Sequence, residues 1–289
     1  MTFNNNADVG GNTARRGGGR GGLVIGGGLA GLGGLAILLL NLFTGGDVGS
    51  LLGGLEAPQP SEGTAIAQCD TGADANANDD CRLAASQLIL DGYWEQRVRD
   101  YRAPQLIIVD GSQSTSCGTA SHATGPFYCP PDETVYIDPT FFAVLRTQFG
   151  AQAGPLAQLY VLGHEWGHHI QQITGVMERF ANDGTGPTSN GVRTELQADC
   201  YAGAWLKDAS SVTDPKGVAY LQRPTDAQLR DALNAAASVG DDNIQAQSGA
   251  VRPETWTHGS SAQRQRWFTS GYQNGLGACD TFSVSGGEL

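Results

Sequence analysis

Hydrophobic periodicity divides this 289-residue chain into an unpatterned beginning and a patterned remainder. Leu83, Leu88, Leu90, Trp94 and Val98 recur at helical spacing and predict a helix over 82–101. Leu106–Val109 is a short β run stopped by Asp110-Gly111, and TVYID at 134–138 is a second. Phe127–Cys129 adds a strand signal before Pro130-Pro131 turns the chain, and Pro139 opens a helix to about Phe149. Over 156–174 the residues LAQLYVLGHEWGHHIQQIT place Leu156, Leu159, Val161, Leu162, Ile170 and Ile173 in a buried helix. Pro155 opens it and Thr174-Gly175 stops it. A Gly/Asn/Thr-rich loop (182–191) precedes helices over 192–209, 226–239 and 262–275. There is no internal repeat. The pattern describes one α+β domain, mostly helical with a small sheet.

The first 68 residues read differently. Residues 1–20 are Asn, Gly and Arg with almost no apolar content, the composition of a disordered tail. Gly21–Phe43 carries no charge, ends in LGGLAILLLNLF and is long enough for one membrane crossing. Arginines on its N-terminal side predict a cytoplasmic N-terminus and an extracytoplasmic remainder. No A-x-A-like site follows, so an uncleaved anchor is expected in place of a signal peptide. Residues 44–68, rich in Gly, Pro and small polar side chains, read as a stalk, leaving 69–289 as the domain. The localisation that follows is the cell membrane, as a single-pass protein. The acidic run Asp70–Asp80 lacks the order of a calcium loop and reads as a loop or helix N-cap region.

Charge narrows the partners. Net charge is −12, from 17 basic and 29 acidic residues. Arg15, Arg16 and Arg20 lie before the apolar stretch with only Asp8 opposing them, so from Thr44 onward 14 basic residues face 28 acidic ones. That balance argues against nucleic acid or anionic headgroups. Six cysteines and no C-x-x-C favour disulfides in an exported domain. Cys69/Cys81 and Cys117/Cys129 are each twelve apart across loop-like residues, which leaves Cys200 with Cys279. On its helix Cys200 points about 100° away from Asp199, towards the C-terminal segment.

The chemistry concentrates in His164-Glu165-Trp166-Gly167-His168, the H-E-x-x-H pattern of zinc hydrolases. Residues four apart share a helix face, so His164 and His168 can address one metal ion. Glu165 projects beside them, where a carboxylate can take a proton from water. The metzincin extension fails, because Gln171 and Thr174 stand where Gly and His are needed. One loop later Glu195 and Asp199, also four apart, offer a third ligand and an acceptor for a ligating histidine's free N–H. Spacing leaves open which carboxylate does which. His169, about 100° around the helix from His168, is expected beside the metal in a supporting role. His258, at a loop-to-helix junction, is the candidate donor to a developing oxyanion, with His122 less well placed. Arg264 and Arg266 are candidates for orienting a carboxylate or the substrate.

Cys117-Gly118, GPFYCPPDETVYIDPTFF (125–142), HEWGHHIQ (164–171), ELQADCYAGAW (195–205) and HGSSAQRQRWF (258–268) together resemble the bacterial putative neutral zinc metallopeptidase family, over about Arg82–Cys279. The layout is also similar to that of the heat-shock and CAAX-processing membrane metallopeptidases, whose several spans this chain lacks. The resemblance implies a zincin-like domain with a gluzincin-type site: one zinc per chain on His164, His168 and Glu195, with Glu165 catalytic. The expected partner is a peptide or protein substrate. An envelope binding module with structural zinc and an amidase acting on cell-wall peptides are the alternatives.

Overall fold

The computed structural model describes residues 2–18, 63–66, 68–247 and 249–289. Its strands are β1 (Arg15–Gly17), β2 (Thr64–Ala65), β3 (Gln105–Val109), β4 (Ser112–Thr115), β5 (Gly118–Ser121), β6 (Phe127–Cys129) and β7 (Thr134–Ile137). The helices are α1 (Gly72–Ala77), α2 (Asp79–Trp94), α3 (Phe141–Gln148), α4 (Pro155–Ile173), α5 (Val176–Arg179), α6 (Asn190–Asp208), α7 (Asp226–Ser238), α8 (Asp241–Ala246) and α9 (Ser261–Asn274). The architecture is α+β, as the periodicity predicts.

Five strands form one sheet in the order β2-β1-β3-β7-β6, with β1, β3 and β7 parallel and both edge strands antiparallel. Alternation along the strands feeds two cores. Leu106, Ile108, Tyr128, Val135 and Ile137 join the main helical core, while Ile107, Val109, Phe127, Cys129 and Tyr136 form a second cluster with Ala120. Ala120 belongs to the β4–β5 hairpin, which the Cys117–Cys129 disulfide ties to β6. That hairpin lies in a stretch, Ser112–Ser121, that carries no hydropathy signal for a strand. Its Ser, Thr, Gln and Gly residues lack apolar alternation, and backbone pairing and the covalent bond hold it instead.

α4 is the centre of the domain, packed by α2, α6, α7 and β6. Every residue from Leu156 to Gln171 is buried, polar ones included. Its approach to α6 depends on two glycines. A Cβ at Gly163 would lie 2.8 Å from the Trp205 ring, and one at Gly167 would lie 3.1 Å from the Ala198 backbone. Neither distance accommodates a side chain without displacing the neighbour, so these two glycines allow the close approach of the helices. α6 starts where the Ser189 hydroxyl accepts from the Val192 amide, and α9 starts at a Ser260/Gln263 capping box. α2 begins at Asp79 because Asn78 caps it, and ends at Trp94, short of the expected residue 101. The acidic run preceding it forms α1, capped by a Thr71/Asp74 box.

The three disulfides join Cys69–Cys81, Cys117–Cys129 and Cys200–Cys279, the pairs expected from spacing. The N-terminal expectation is overturned. Residues 2–18 are not a disordered tail: Phe3, Ala7 and Val9 are buried in the main core, and Arg15–Gly17 form a strand between β2 and β3. Main-chain hydrogen bonds carry the segment, with Asn4 donating to Tyr220, Val9 to Asp70 and Gln222 to Thr2. Composition could not reveal this, because strand pairing uses the backbone of Gly and Arg as readily as any other. Residues 63–66 likewise belong to the sheet and not to a stalk.

The expected anchor, Gly21–Phe43, lies outside the described residues. No helix among the described residues is long and apolar enough to cross a membrane. β1 pairs with both β2 and β3 in one sheet, so Arg15–Gly17 and the domain belong on the same side of any membrane. That contradicts an N-terminus opposite the domain. Epitope tags on the two ends should therefore be digested together, or protected together, when protease is added to intact spheroplasts. Digestion of only one tag would restore the single crossing.

Candidate metal centre and catalytic cleft

α4 and α6 bring three side chains to one point. His164 Nε2 and His168 Nε2 are 3.1 Å apart. Glu195 Oε2 lies 3.2 Å from the first, and its Oε1 lies 3.4 Å from the second. All three are buried, and their ligand atoms fall within 4.8 Å of one another. Each histidine is oriented through its other nitrogen. His164 Nδ1 meets Asp199 Oδ1 at 2.8 Å, and His168 Nδ1 meets Gln171 Oε1 at 2.9 Å. A carboxylate and an amide oxygen only accept, so both Nδ1 atoms carry a proton and both Nε2 atoms turn lone pairs to the shared point.

That arrangement fits a cation. Glu195 Oε1 is buried without a hydrogen-bond partner, a costly condition unless positive charge sits beside it. Two imidazoles and one carboxylate form a zinc donor set with a position left for water. Glu195 is the carboxylate at the ligand point, and Asp199 lies behind His164, which decides geometrically between the two.

Asp199 is fully buried and its charge is matched by Arg264, which donates from Nε to Oδ2 (2.8 Å) and from Nη2 to Oδ1 (2.9 Å). Tyr160 donates to the same Oδ1 at 2.6 Å. Burial opposes the charged form of Asp199, but Arg264 and His164 outweigh it and lower its pKa to about 2. Burial also opposes a charged His164, and Asp199 and then Glu195 overcome it, raising His164 to about 10, so a cation at the shared point takes the place of its Nε2 proton. For His168 burial prevails and the pKa falls. Despite its burial, Glu195 is held well below the carboxylate range, mainly by His168 and His258.

Glu165 lies on the same turn and lines the same cavity, of about 340 Å³. Its Oε2 accepts the Tyr128 amide at 2.9 Å, a backbone N–H that the edge strand β6 directs to α4. His258 also lines this cavity. Its Nδ1 contacts Thr257 Oγ1 (2.9 Å) and Asp241 Oδ1 (3.3 Å). Asp241 Oδ2 accepts the amides of Thr257, His258 and Gly259, fixing the whole junction. Burial lowers the tendency of His258 to hold charge, but Glu195 and Asp241 reverse the balance and raise its pKa.

Other candidates fall elsewhere. His169 bonds Tyr128 Oη (3.0 Å) and the Arg102 carbonyl (2.7 Å), so it braces β6 and not the ligands. The exposed His122 lies 3.9 Å from Asp138. Arg266 binds the carbonyl oxygens of Glu288 and Leu289, away from the cavity. Periodicity misses Gln171, Tyr160, Asp241 and the Tyr128 amide. Gln171 was readable, being one turn past a ligand candidate, but its spacing registers only as a failed metzincin match. Asp241 has no local signal, since it acts on His258, 17 residues further along the chain.

The family model described as putative neutral zinc metallopeptidase matches residues 3–282. The uncharacterized protein Rv2575 of Mycobacterium tuberculosis is 49% identical over 243 residues, 81% of this chain and 83% of the relative. The uncharacterized protein YpfJ of Escherichia coli is 37% identical over 270 residues, 89% of this chain and 88% of the relative. No solved structure matches significantly.

The Gln171 amide joins His168 to α6, since its Nε2 donates to the Thr194 carbonyl (2.7 Å) and to Gln197 Oε1 (3.1 Å). Gln171→Met keeps the volume and removes the acceptor. It should weaken zinc binding by roughly 10–100-fold with the helix content unchanged, measured by competition against a chromophoric chelator. An unaltered affinity would show that Gln171 does not orient His168.

Proposed function

The chain belongs to the putative neutral zinc metallopeptidase family, and on that premise we propose that it hydrolyses peptide bonds at a single zinc held by His164, His168 and Glu195. The observation that carries this reading is Glu165 beside the three ligand groups, in one cavity, with its Oε2 fixed by the Tyr128 amide. A purely structural site has no use for such a carboxylate, nor for a cavity beside it.

Zinc bound there would supply a Lewis acid that acidifies water and polarises the scissile carbonyl. The remaining work falls to the chain. Glu165 accepts the proton of the attacking water and delivers it to the departing amine. The Tyr128 amide holds Oε2, which keeps the carboxylate aimed without consuming its other oxygen. His258, whose hold on a proton Glu195 and Asp241 strengthen, is placed in the cavity to donate to the oxyanion as it develops. Asp199, neutralised by Arg264, keeps His164 in the Nδ1–H tautomer, and Gln171 does the same for His168. An H-E-x-x-H helix beside an edge strand is a zincin-like arrangement, and β6 is the edge strand that packs on α4, its Tyr128 amide committed to Glu165. Three disulfides favour an oxidising compartment outside the cytoplasm.

Two substitutions separate the roles. Glu165→Gln should retain one zinc per chain and the fold while lowering kcat by roughly 10²–10⁴-fold, because it removes the base and no ligand. His258→Ala should also retain zinc and lower kcat by about 10²–10³-fold. Zinc content by atomic absorption and turnover of a quenched peptide check both. Persistent cleavage in Glu165→Gln would remove Glu165 from the chemistry.

A further inference from the structure

The cavity around the ligands is walled chiefly by apolar side chains. Val161 precedes His164 by one turn of α4, and the cavity is also lined by Phe141 of α3, Phe149 just past the end of α3, and Ile244 of α8. Met177 and Phe180 follow the C-terminal end of α4 and line the cavity too. Phe180 is held by a stacked contact with Phe282, 3.9 Å between ring centres, so the C-terminal segment supports this wall. A volume of about 340 Å³ suits bulky side chains next to a peptide bond.

The charges in the cavity are already committed. Arg264 is spent on Asp199 and the Val239 carbonyl. Asp241 is spent on three backbone amides and His258. Among the described residues lining the cavity, the other acidic or basic groups are the three ligands, Glu165 and His258, beside the phenols of Tyr128 and Tyr160. A peptidase that selects a chain end needs a fixed cation for its carboxylate or a fixed anion for its ammonium. Here an ammonium would have to pair with Glu165 and disable the base, and a carboxylate would meet an arginine whose charge is already matched by the buried Asp199.

Resting on the peptidase reading above, we propose that the protein is an endopeptidase that cuts beside a bulky apolar residue, and that free chain termini play no part in recognition. Side chains such as Leu, Phe and Met fill the apolar walls next to the scissile bond. Asp or Lys at the same position enters a wall with no partner for its charge, and the bond beside it is cut slowly.

The test uses the zinc-loaded full-length chain and internally quenched peptides, varied around one bond, with both ends either blocked (acetyl, amide) or free. Leu, Phe or Met beside the cut should exceed Asp or Lys by more than tenfold in kcat/KM, and blocking both ends should change kcat/KM by less than about threefold. Ile244→Asp, at a half-buried wall position, should lower kcat/KM for the Leu peptide more than tenfold with zinc content unchanged. Binding of the same blocked peptides to Glu165→Gln, read by fluorescence anisotropy, should rank them in the same order. Cleavage that needs a free end, or that favours a charged residue beside the bond, overturns this proposal and leaves the peptidase reading intact. If the zinc-loaded chain cuts no peptide at all, the peptidase reading falls and this proposal with it.

Discussion

The buried pairing of Asp199 with Arg264 is the interaction on which the rest of the site depends. It joins three helices: Arg264 from α9, Asp199 from α6, and through Asp199 the His164 ring and Tyr160 hydroxyl of α4. A carboxylate with no solvent exposure costs several kcal/mol unless its charge is matched, and the bidentate guanidinium matches it here. Removing Arg264 alone would leave that charge uncompensated, at a cost of about 3–5 kcal/mol. The same pair sets the tautomer of a metal ligand. Stability and metal chemistry therefore share one ion pair, and neither can be altered without the other.

A second line of support runs from His168 in the opposite direction. Its Nδ1 is held by Gln171, Gln171 donates to Gln197, and Gln197 donates to the Cys279 carbonyl at 2.9 Å. Cys279 is bonded to Cys200 on α6, one residue past Asp199. Arg193 caps the connection by donating to the carbonyls of Thr281 and Val284. Closing a 79-residue separation is worth about 4.5 kcal/mol in the chain-entropy model. The C-terminal segment is thus fastened to the helix that carries Glu195, and it reaches the cavity wall through Phe282 on Phe180.

What the sequence makes legible is what acts locally. H-E-x-x-H puts two histidines and a carboxylate on one turn, and E-x-x-x-D puts two carboxylates on another, so one helix period suffices to find the centre. Choosing Glu195 over Asp199 needs the distance between α4 and α6, which Gly163 and Gly167 govern and spacing does not encode. Asp241 reaches His258 only after a loop has folded back. Arg15–Gly17 joins the sheet by its backbone, with no apolar alternation to announce it. The apolar residues over 21–43 carry a strong hydropathy signal, but hydropathy alone says nothing about where the segments on either side pack.

The central claim is a metal centre built from two imidazoles and one carboxylate. X-ray absorption at the zinc edge of the purified full-length chain tests it most directly. The account predicts two imidazole nitrogens at about 2.0–2.1 Å and only oxygen besides, with no sulfur shell, and one imidazole lost in His168→Ala. Sulfur at about 2.3 Å, or a spectrum unchanged in His168→Ala, would contradict it.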